Sequence, residues 1–127
     1  MSQDLRQTRI FVVDDESVIS DTLGVILRQR GFDARSFDLP AEALRAAREQ
    51  APDLLIADVV MPVLSGIDLA LQVREHYPGC KVLLFSGHPA TADLLQVARE
   101  AGHEFEALAK PVHPAELVES VRTLIDA

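Results

Sequence analysis

The chain has a single cysteine, Cys80, in 127 residues. One cysteine excludes an internal disulfide and a cysteine-rich zinc site, and it is compatible with a reducing, cytoplasmic setting. A basic excess is also missing. Twelve Lys and Arg stand against twenty Asp and Glu, a formal net charge of −8, which argues against direct, sequence-independent contact with nucleic acid. No apolar run approaches the ~20 residues of a membrane span. The segment Met1-Ser2-Gln3-Asp4-Leu5-Arg6-Gln7-Thr8 lacks the apolar centre of a signal peptide. No like-charge run, internal repeat, low-complexity tract or linker interrupts the chain. It therefore reads as one domain over residues 1–127, with a core from about residue 9 to 125 and no output domain.

What is present alternates regularly between strand and helix signals. Ile10-Phe11-Val12-Val13 is an apolar run ending in Asp14-Asp15-Glu16. Ile19, Leu23, Ile26 and Leu27 then recur at helical spacing up to Gly31. Phe32–Ser36 is a polar, weaker strand, as expected at a sheet edge. Pro40 opens a second helix with Ala43, Leu44 and Ala47 as its inner stripe. The run Asp53-Leu54-Leu55-Ile56-Ala57-Asp58 reads as a strand buried on both faces that ends in an acid. Ser65-Gly66-Ile67-Asp68 has the spacing of a capping box, and Ile67, Ala70 and Leu71 give its helix an inner face.

Val82-Leu83-Leu84-Phe85 ends at Ser86-Gly87-His88. Pro89 and Thr91 open a fourth helix with Leu94, Leu95 and Ala98 inside. Phe105–Ala109 is a fifth strand ending at Lys110-Pro111. His113-Pro114-Ala115-Glu116 then begins a helix with Leu117, Val118, Val121, Leu124 and Ile125 on one side. Five β–α pairs predict an α/β fold, a doubly wound five-stranded parallel sheet. The flavodoxin-like strand order 2-1-3-4-5 fits best.

In that order the carboxyl ends of strands one, three, four and five face one mouth. They carry Asp14 and Asp15, Asp58, Ser86 and Lys110. Three crowded carboxylates favour a hard cation, and an oxygen-rich set without sulfur suits Mg2+. Ser86 has no base beside it, so the group is no hydrolytic triad. A metal-assisted carboxylate nucleophile able to take a phosphoryl group remains.

With these residues in place, the chain resembles a receiver domain of the bacterial two-component response-regulator family, of the chemotaxis-regulator kind. The matching stretches are Val12-Val13-Asp14-Asp15-Glu16, Asp58-Val59-Val60-Met61-Pro62, Ser65-Gly66, Phe85-Ser86-Gly87 and Lys110-Pro111. The resemblance implies that Asp58 accepts phosphate from the phosphohistidine of a sensor histidine kinase or a phosphotransfer protein. It implies Mg2+ on Asp15 and Asp58, with Asp14 acting partly through water and the backbone carbonyl of Val60 as a further ligand. It gives Ser86 the phosphoryl oxygen as partner and gives Lys110 first Asp58, then phosphate. The Lys110-Pro111 bond is expected to be cis. The fourth helix, fifth strand and fifth helix are expected to form the face for a downstream protein, in a monomer or weak homodimer.

The sequence departs from the family in two places. An aromatic ring is common three residues before the lysine, and here that position is Ala107. Phe105, two residues earlier, reads as core packing. Val60 and His88 occupy the positions that flank the phosphoryl group, and Val60 cannot orient an attacking water. Gly87, His88, Ala107, Val60 and Pro111 are thus the expected tuning positions. A haloacid-dehalogenase-type phosphohydrolase would want an acid where Val60 stands. A nucleotide- or flavin-binding domain would want a glycine-rich loop after a strand, and none is present.

Overall fold

The computed structural model describes residues 7–126. Met1–Arg6, most of the segment read above as lacking signal-peptide character, and Ala127 lie outside the described residues. Five strands and five helices alternate: β1 (Arg9–Val13), α1 (Ser17–Gln29), β2 (Asp33–Phe37), α2 (Pro40–Glu49), β3 (Leu54–Asp58), α3 (Gly66–His76), β4 (Lys81–Ser86), α4 (Thr91–Glu100), β5 (Glu106–Ala109) and α5 (Pro114–Asp126). The sheet is parallel throughout, in the order β2-β1-β3-β4-β5.

The period-two alternation of the strands sorts their side chains into two cores. Phe11, Val13, Leu55, Ala57, Val82 and Leu84 face one side, where Ala43, Ala46 and Ala47 of α2, Ile67, Leu69, Ala70 and Val73 of α3 and Ala98 of α4 cover them. Ile10, Val12, Leu54, Ile56, Leu83 and Phe85 face the other, under Leu23 and Leu27 of α1 and Leu117 and Val121 of α5. The central strands are apolar at successive positions because both faces are covered. Each fully buried Leu, Ile or Phe contributes about 2 kcal/mol.

Several expectations shift. β2 begins and ends one residue later than Phe32–Ser36, and Phe105 lies just outside β5. Edge strands have one pairing partner, so pairing rather than composition sets their limits. In α2, Ala46 is buried and Leu44 only half-buried. In α4 the expected stripe sinks only in part: Ala98 is the helix's one buried residue, Leu95 is half-buried against the core and Leu94 is 37% exposed, while Val97 outside the stripe is 64% exposed. The adjacent β5 has the sequence Glu-Ala-Leu-Ala and is itself largely exposed, so it offers α4 little apolar surface. Ser65 does cap α3, its side chain accepting from Asp68 N–H at 3.1 Å.

The loop from β3 to α3 is tightly drawn. Leu64 N–H donates to the Pro62 carbonyl at 2.8 Å, and Val63 between them has φ 72°. This three-residue turn is strained, and a β-branched residue suits it poorly. Val63 is fully exposed, so no packing offsets the cost. Two residues on, Gly66 N–H donates to Val59 carbonyl at 2.8 Å. A Cβ at Gly66 would overlap the Asp58 carbonyl oxygen. The two positions therefore respond oppositely. Val63→Gly is expected to raise stability by about 1 kcal/mol, and Gly66→Ala to lower it by about 3 kcal/mol, both read from urea unfolding. A destabilised Val63→Gly or a neutral Gly66→Ala would contradict this account of the loop.

Candidate phosphoacceptor and metal site

Register brings the acids together before any side chain is considered. Val13 of β1 pairs with Ala57 of β3, so Asp14 and Asp58, each the next residue, lie side by side. Asp58 in turn pairs with Phe85 of β4, which sets Ser86 one step beyond it. Ser86 pairs with Ala109 of β5, and Lys110 N–H donates to Ser86 carbonyl at 3.2 Å. The Lys110-Pro111 peptide is cis, as expected.

Lys110 is the centre of the site. Its Nζ donates to Asp14 Oδ2 at 3.0 Å and to Asp58 Oδ2 at 3.3 Å. Glu16 Oε1 lies 3.8 Å from the same nitrogen, an approach the sequence did not single out. The ammonium also sits 5.1 Å from the centre of the Phe85 ring, a favourable cation–π distance. Asp14 is completely buried. One of its oxygens accepts from Glu16 N–H at 2.9 Å and the other holds Lys110. Asp14 is thus both the turn former at the start of α1 and an electrostatic partner.

Burial raises the Asp58 pKa above the ordinary carboxylate value. Lys110 opposes the shift, the charge of Asp14 adds to it, and a hydrogen bond from Val60 N–H lowers it. Burial pulls Lys110 the other way, but the hydrogen bond and charge of Asp14 and the charge of Asp58 outweigh it. Its pKa stands above the ordinary lysine value, so it remains an ammonium. Cys80 takes no part in such chemistry: burial, then the charge of Asp53, pushes its thiol up to about 12, and a thiol that stays protonated is inert.

Asp14, Asp15 and Asp58 can each offer a carboxylate oxygen, and these oxygens lie within 4.8 Å of one another. Asp15 is exposed, whereas the other two are buried. Three hard oxygen donors at that spacing, with no thiolate or imidazole among them, fit Mg2+. The cleft above them encloses about 300 Å3 and is lined by Glu16, Asp58, Val60, Ser86, Gly87, His88, Pro89 and Lys110.

Two of the expected tuning residues stand apart from that cleft. Ala107 is exposed on β5, opposite Leu84. Pro111 lines a neighbouring apolar hollow of about 410 Å3, with Val18, Ile19, Thr22, Leu23, Phe85, Lys110 and Val112. That hollow was not read from the sequence, because its walls come from α1 and from the loop before α5, some ninety residues apart. Phe105 is half-buried against the core and carries Arg74 over its ring at 4.3 Å. It is packing, as its place in the sequence suggested.

A carboxyl whose folded pKa exceeds its unfolded value stabilises the fold below the unfolded value. That contribution is lost as pH rises through the folded pKa. Ionised Asp58 therefore costs stability at neutral pH in metal-free buffer. Asp58→Asn is expected to melt higher than wild type at pH 7 in EDTA. The difference should shrink toward acid pH, where the wild-type carboxyl is already protonated. Excess Mg2+ should stabilise wild type by linkage, and Asp14→Asn with Asp15→Asn should remove that gain. Equal melting temperatures for wild type and Asp58→Asn at pH 7 would refute the burial argument.

Comparisons with known proteins agree with this geometry. The profile of the response regulator receiver domain matches residues 10–122. The transcriptional regulatory protein CreB of Escherichia coli (strain K12) is 35% identical over 121 residues, 95% of this chain and 52% of CreB. The DNA-binding response regulator MtrA of Mycobacterium tuberculosis (strain ATCC 25618 / H37Rv) is 34% identical over 119 residues, 94% of this chain and 51% of MtrA. The chain thus spans about half the length of the curated relatives it matches. Among solved structures, a response regulator receiver domain protein from Clostridium thermocellum superposes with a TM-score of 0.83 at 30% identity, over 94% of each chain. A CheY-like receiver domain protein from Methanospirillum hungatei JF-1 gives 0.85 at 25% identity, over 95% of each. The profile match across nearly the whole chain, with relatives above 30% identity, establishes that this chain belongs to the response regulator receiver domain family.

Proposed function

We propose that Asp58 is the phosphoacceptor of this receiver and that a partner's phosphohistidine is the donor. The observation that carries the reading is Lys110 Nζ held between Asp14 Oδ2 at 3.0 Å and Asp58 Oδ2 at 3.3 Å. It places a permanent cation beside a buried carboxylate at an open mouth. In the transfer, an Asp58 oxygen forms the new P–O bond as the donor's P–N bond breaks. The electron pair returns to the imidazole nitrogen, and with a proton on the other ring nitrogen the donor leaves as a neutral ring. Asp14, Asp15, Asp58 and the Val60 carbonyl would hold Mg2+, which supplies charge neutralisation at the phosphoryl oxygens. Lys110, already an ammonium, pairs with the new phosphate without a proton changing hands. Ser86 Oγ, which at rest accepts from His88 N–H at 3.0 Å, carries a proton it can donate to a phosphoryl oxygen on turning toward it.

The domain is a signalling module, and its only chemistry on this reading is its own phosphorylation and dephosphorylation. The apolar hollow shares Lys110 with the cleft that holds Asp58 and suits the donor's docking. The exposed face of α4, β5 and α5 suits a downstream protein. We place the chain in the cytoplasm as one receiver unit, a monomer or weak homodimer, making no direct nucleic-acid contact. Among the described residues no helix is long and apolar enough to cross a membrane. Nothing favours the phosphohydrolase or nucleotide-binding alternatives.

Incubation with acetyl phosphate and Mg2+ should add one phosphoryl group, seen by intact-mass spectrometry and absent in Asp58→Asn. No adduct on wild type with acetyl phosphate or any phosphohistidine donor would end the reading. Val60 lines the cleft with an apolar side chain, so it cannot hydrogen-bond an in-line water. Val60→Asn supplies that bond and should hasten dephosphorylation on the order of tenfold, the effect of about 1.4 kcal/mol. An unchanged or slower rate would remove Val60 as the brake.

A further inference from the structure

The start of α4 is held by an unusual device. Its N-cap, Ala90, has φ −77° and ψ −6° and brings no capping side chain. His88 caps the helix from outside. Its ring Nδ1 accepts from Ala90 N–H at 3.0 Å, and its carbonyl accepts from Thr91 N–H at 3.1 Å. The same residue's own N–H donates to Ser86 Oγ at 3.0 Å. One residue thus joins the site hydroxyl to the first turn of a helix. An accepting Nδ1 places the ring proton on Nε2, so Nδ1 is committed to the helix and not to a water in the cleft.

We propose that His88 is a positioning residue that couples the Ser86 hydroxyl to the N-terminus of α4, in place of a moving ring at position 107. The proposal rests on the reading of Asp58 as phosphoacceptor. When Ser86 Oγ turns to a phosphoryl oxygen, His88 N–H loses its acceptor. An abandoned backbone donor is costly, so the His88 backbone follows, and both caps on α4 move with it. Exposed Gly87 between the two residues gives the loop the freedom to follow.

Two independent features make α4 the element that yields. It is the helix most weakly tied to the core, with Ala98 alone buried and Leu94 and Val97 exposed. Elements with few buried apolar contacts open at the low end of the stability range. The resting arrangement also leaves Thr91 Oγ1 buried without a hydrogen-bond partner. A buried hydroxyl with no partner favours any rearrangement that provides one. Ala107 has no ring to carry the change by another route.

The test uses the whole chain with Mg2+ and beryllofluoride as the phosphoryl mimic. Amide exchange in residues 91–95 is followed in wild type, His88→Ala and His88→Asn, each normalised to the occupied fraction. Asn can accept from a backbone N–H two residues on, so it keeps the cap without the imidazole. Before beryllofluoride, His88→Ala should exchange in that turn about fivefold faster than wild type, and His88→Asn close to wild type. The ring nitrogen shifts of wild-type His88 should report the Nε2–H tautomer. With beryllofluoride, wild type and His88→Asn should show a change in exchange across the first turn that His88→Ala lacks. If wild type binds beryllofluoride but all three respond alike, or Asn fails to restore the response, the coupling is refuted while the phosphoacceptor reading stands. If wild type takes up no beryllofluoride, both fall together, and the unphosphorylated exchange rates still judge the cap.

Discussion

Everything at the mouth of this sheet depends on Lys110. Parallel strands deliver Asp14 and Asp58 side by side, and burial makes their ionised forms expensive. Without a cation the pair would have to protonate or separate. Lys110 reaches both oxygens from the neighbouring edge of the sheet. The same interaction sets the electrostatics of the cleft, because the cation that makes two buried carboxylates tolerable also lines its wall. Neutralisation is incomplete, as the raised pKa of Asp58 shows. The remaining cost is what a metal ion is suited to remove, and it makes ligand binding a contributor to stability.

The strand-end acids, the lysine and the strand order were legible in the sequence for one reason. Apolar runs buried on both faces end abruptly in polar residues, and alternation with helices dictates which ends face together. What was not legible depends on contacts between distant segments. The period of α4 marks Leu94 as inward, yet how far a helix sinks depends on the surface beneath it. β5, with two alanines and an exposed glutamate, provides little. Gly66 reads as part of a capping box, and its tighter role against the Asp58 carbonyl appears only when the loop closes over β3. The left-handed Val63 has no signal at all, since glycine or asparagine is the usual mark of such a position. Likewise the sequence offers His88 for water positioning and has no sign of the bond from Ala90 N–H to its ring Nδ1.

The fold gives up stability at these same places. The β3–α3 loop places a β-branched residue in a conformation that glycine would adopt at lower cost, beside the strand end that carries Asp58. α4 exposes apolar side chains that a deeper core would cover. Such concessions cluster around Asp58 and one edge of the sheet, while the two central cores remain buried. Strain held by a well-packed frame is the usual pattern at a functional site.

The asymmetry also decides the direction in which a signal can leave. A charge change at Asp58 acts on neighbours that are either rigid or yielding. β1 and β3 are buried on both faces and paired on both sides, so a displacement there would disturb two cores at once. In the loop after β4 and in α4 the cost is far smaller. Ser86 ends its strand, Gly87 follows it, and the next helix is held by His88 and a single buried alanine. Pro89 lies between His88 and Ala90 and limits how far the loop can unwind, so motion of His88 is passed to the helix instead of being absorbed. The weak packing of α4, which reads as a defect when burial alone is considered, is the condition under which one hydroxyl can shift a helix.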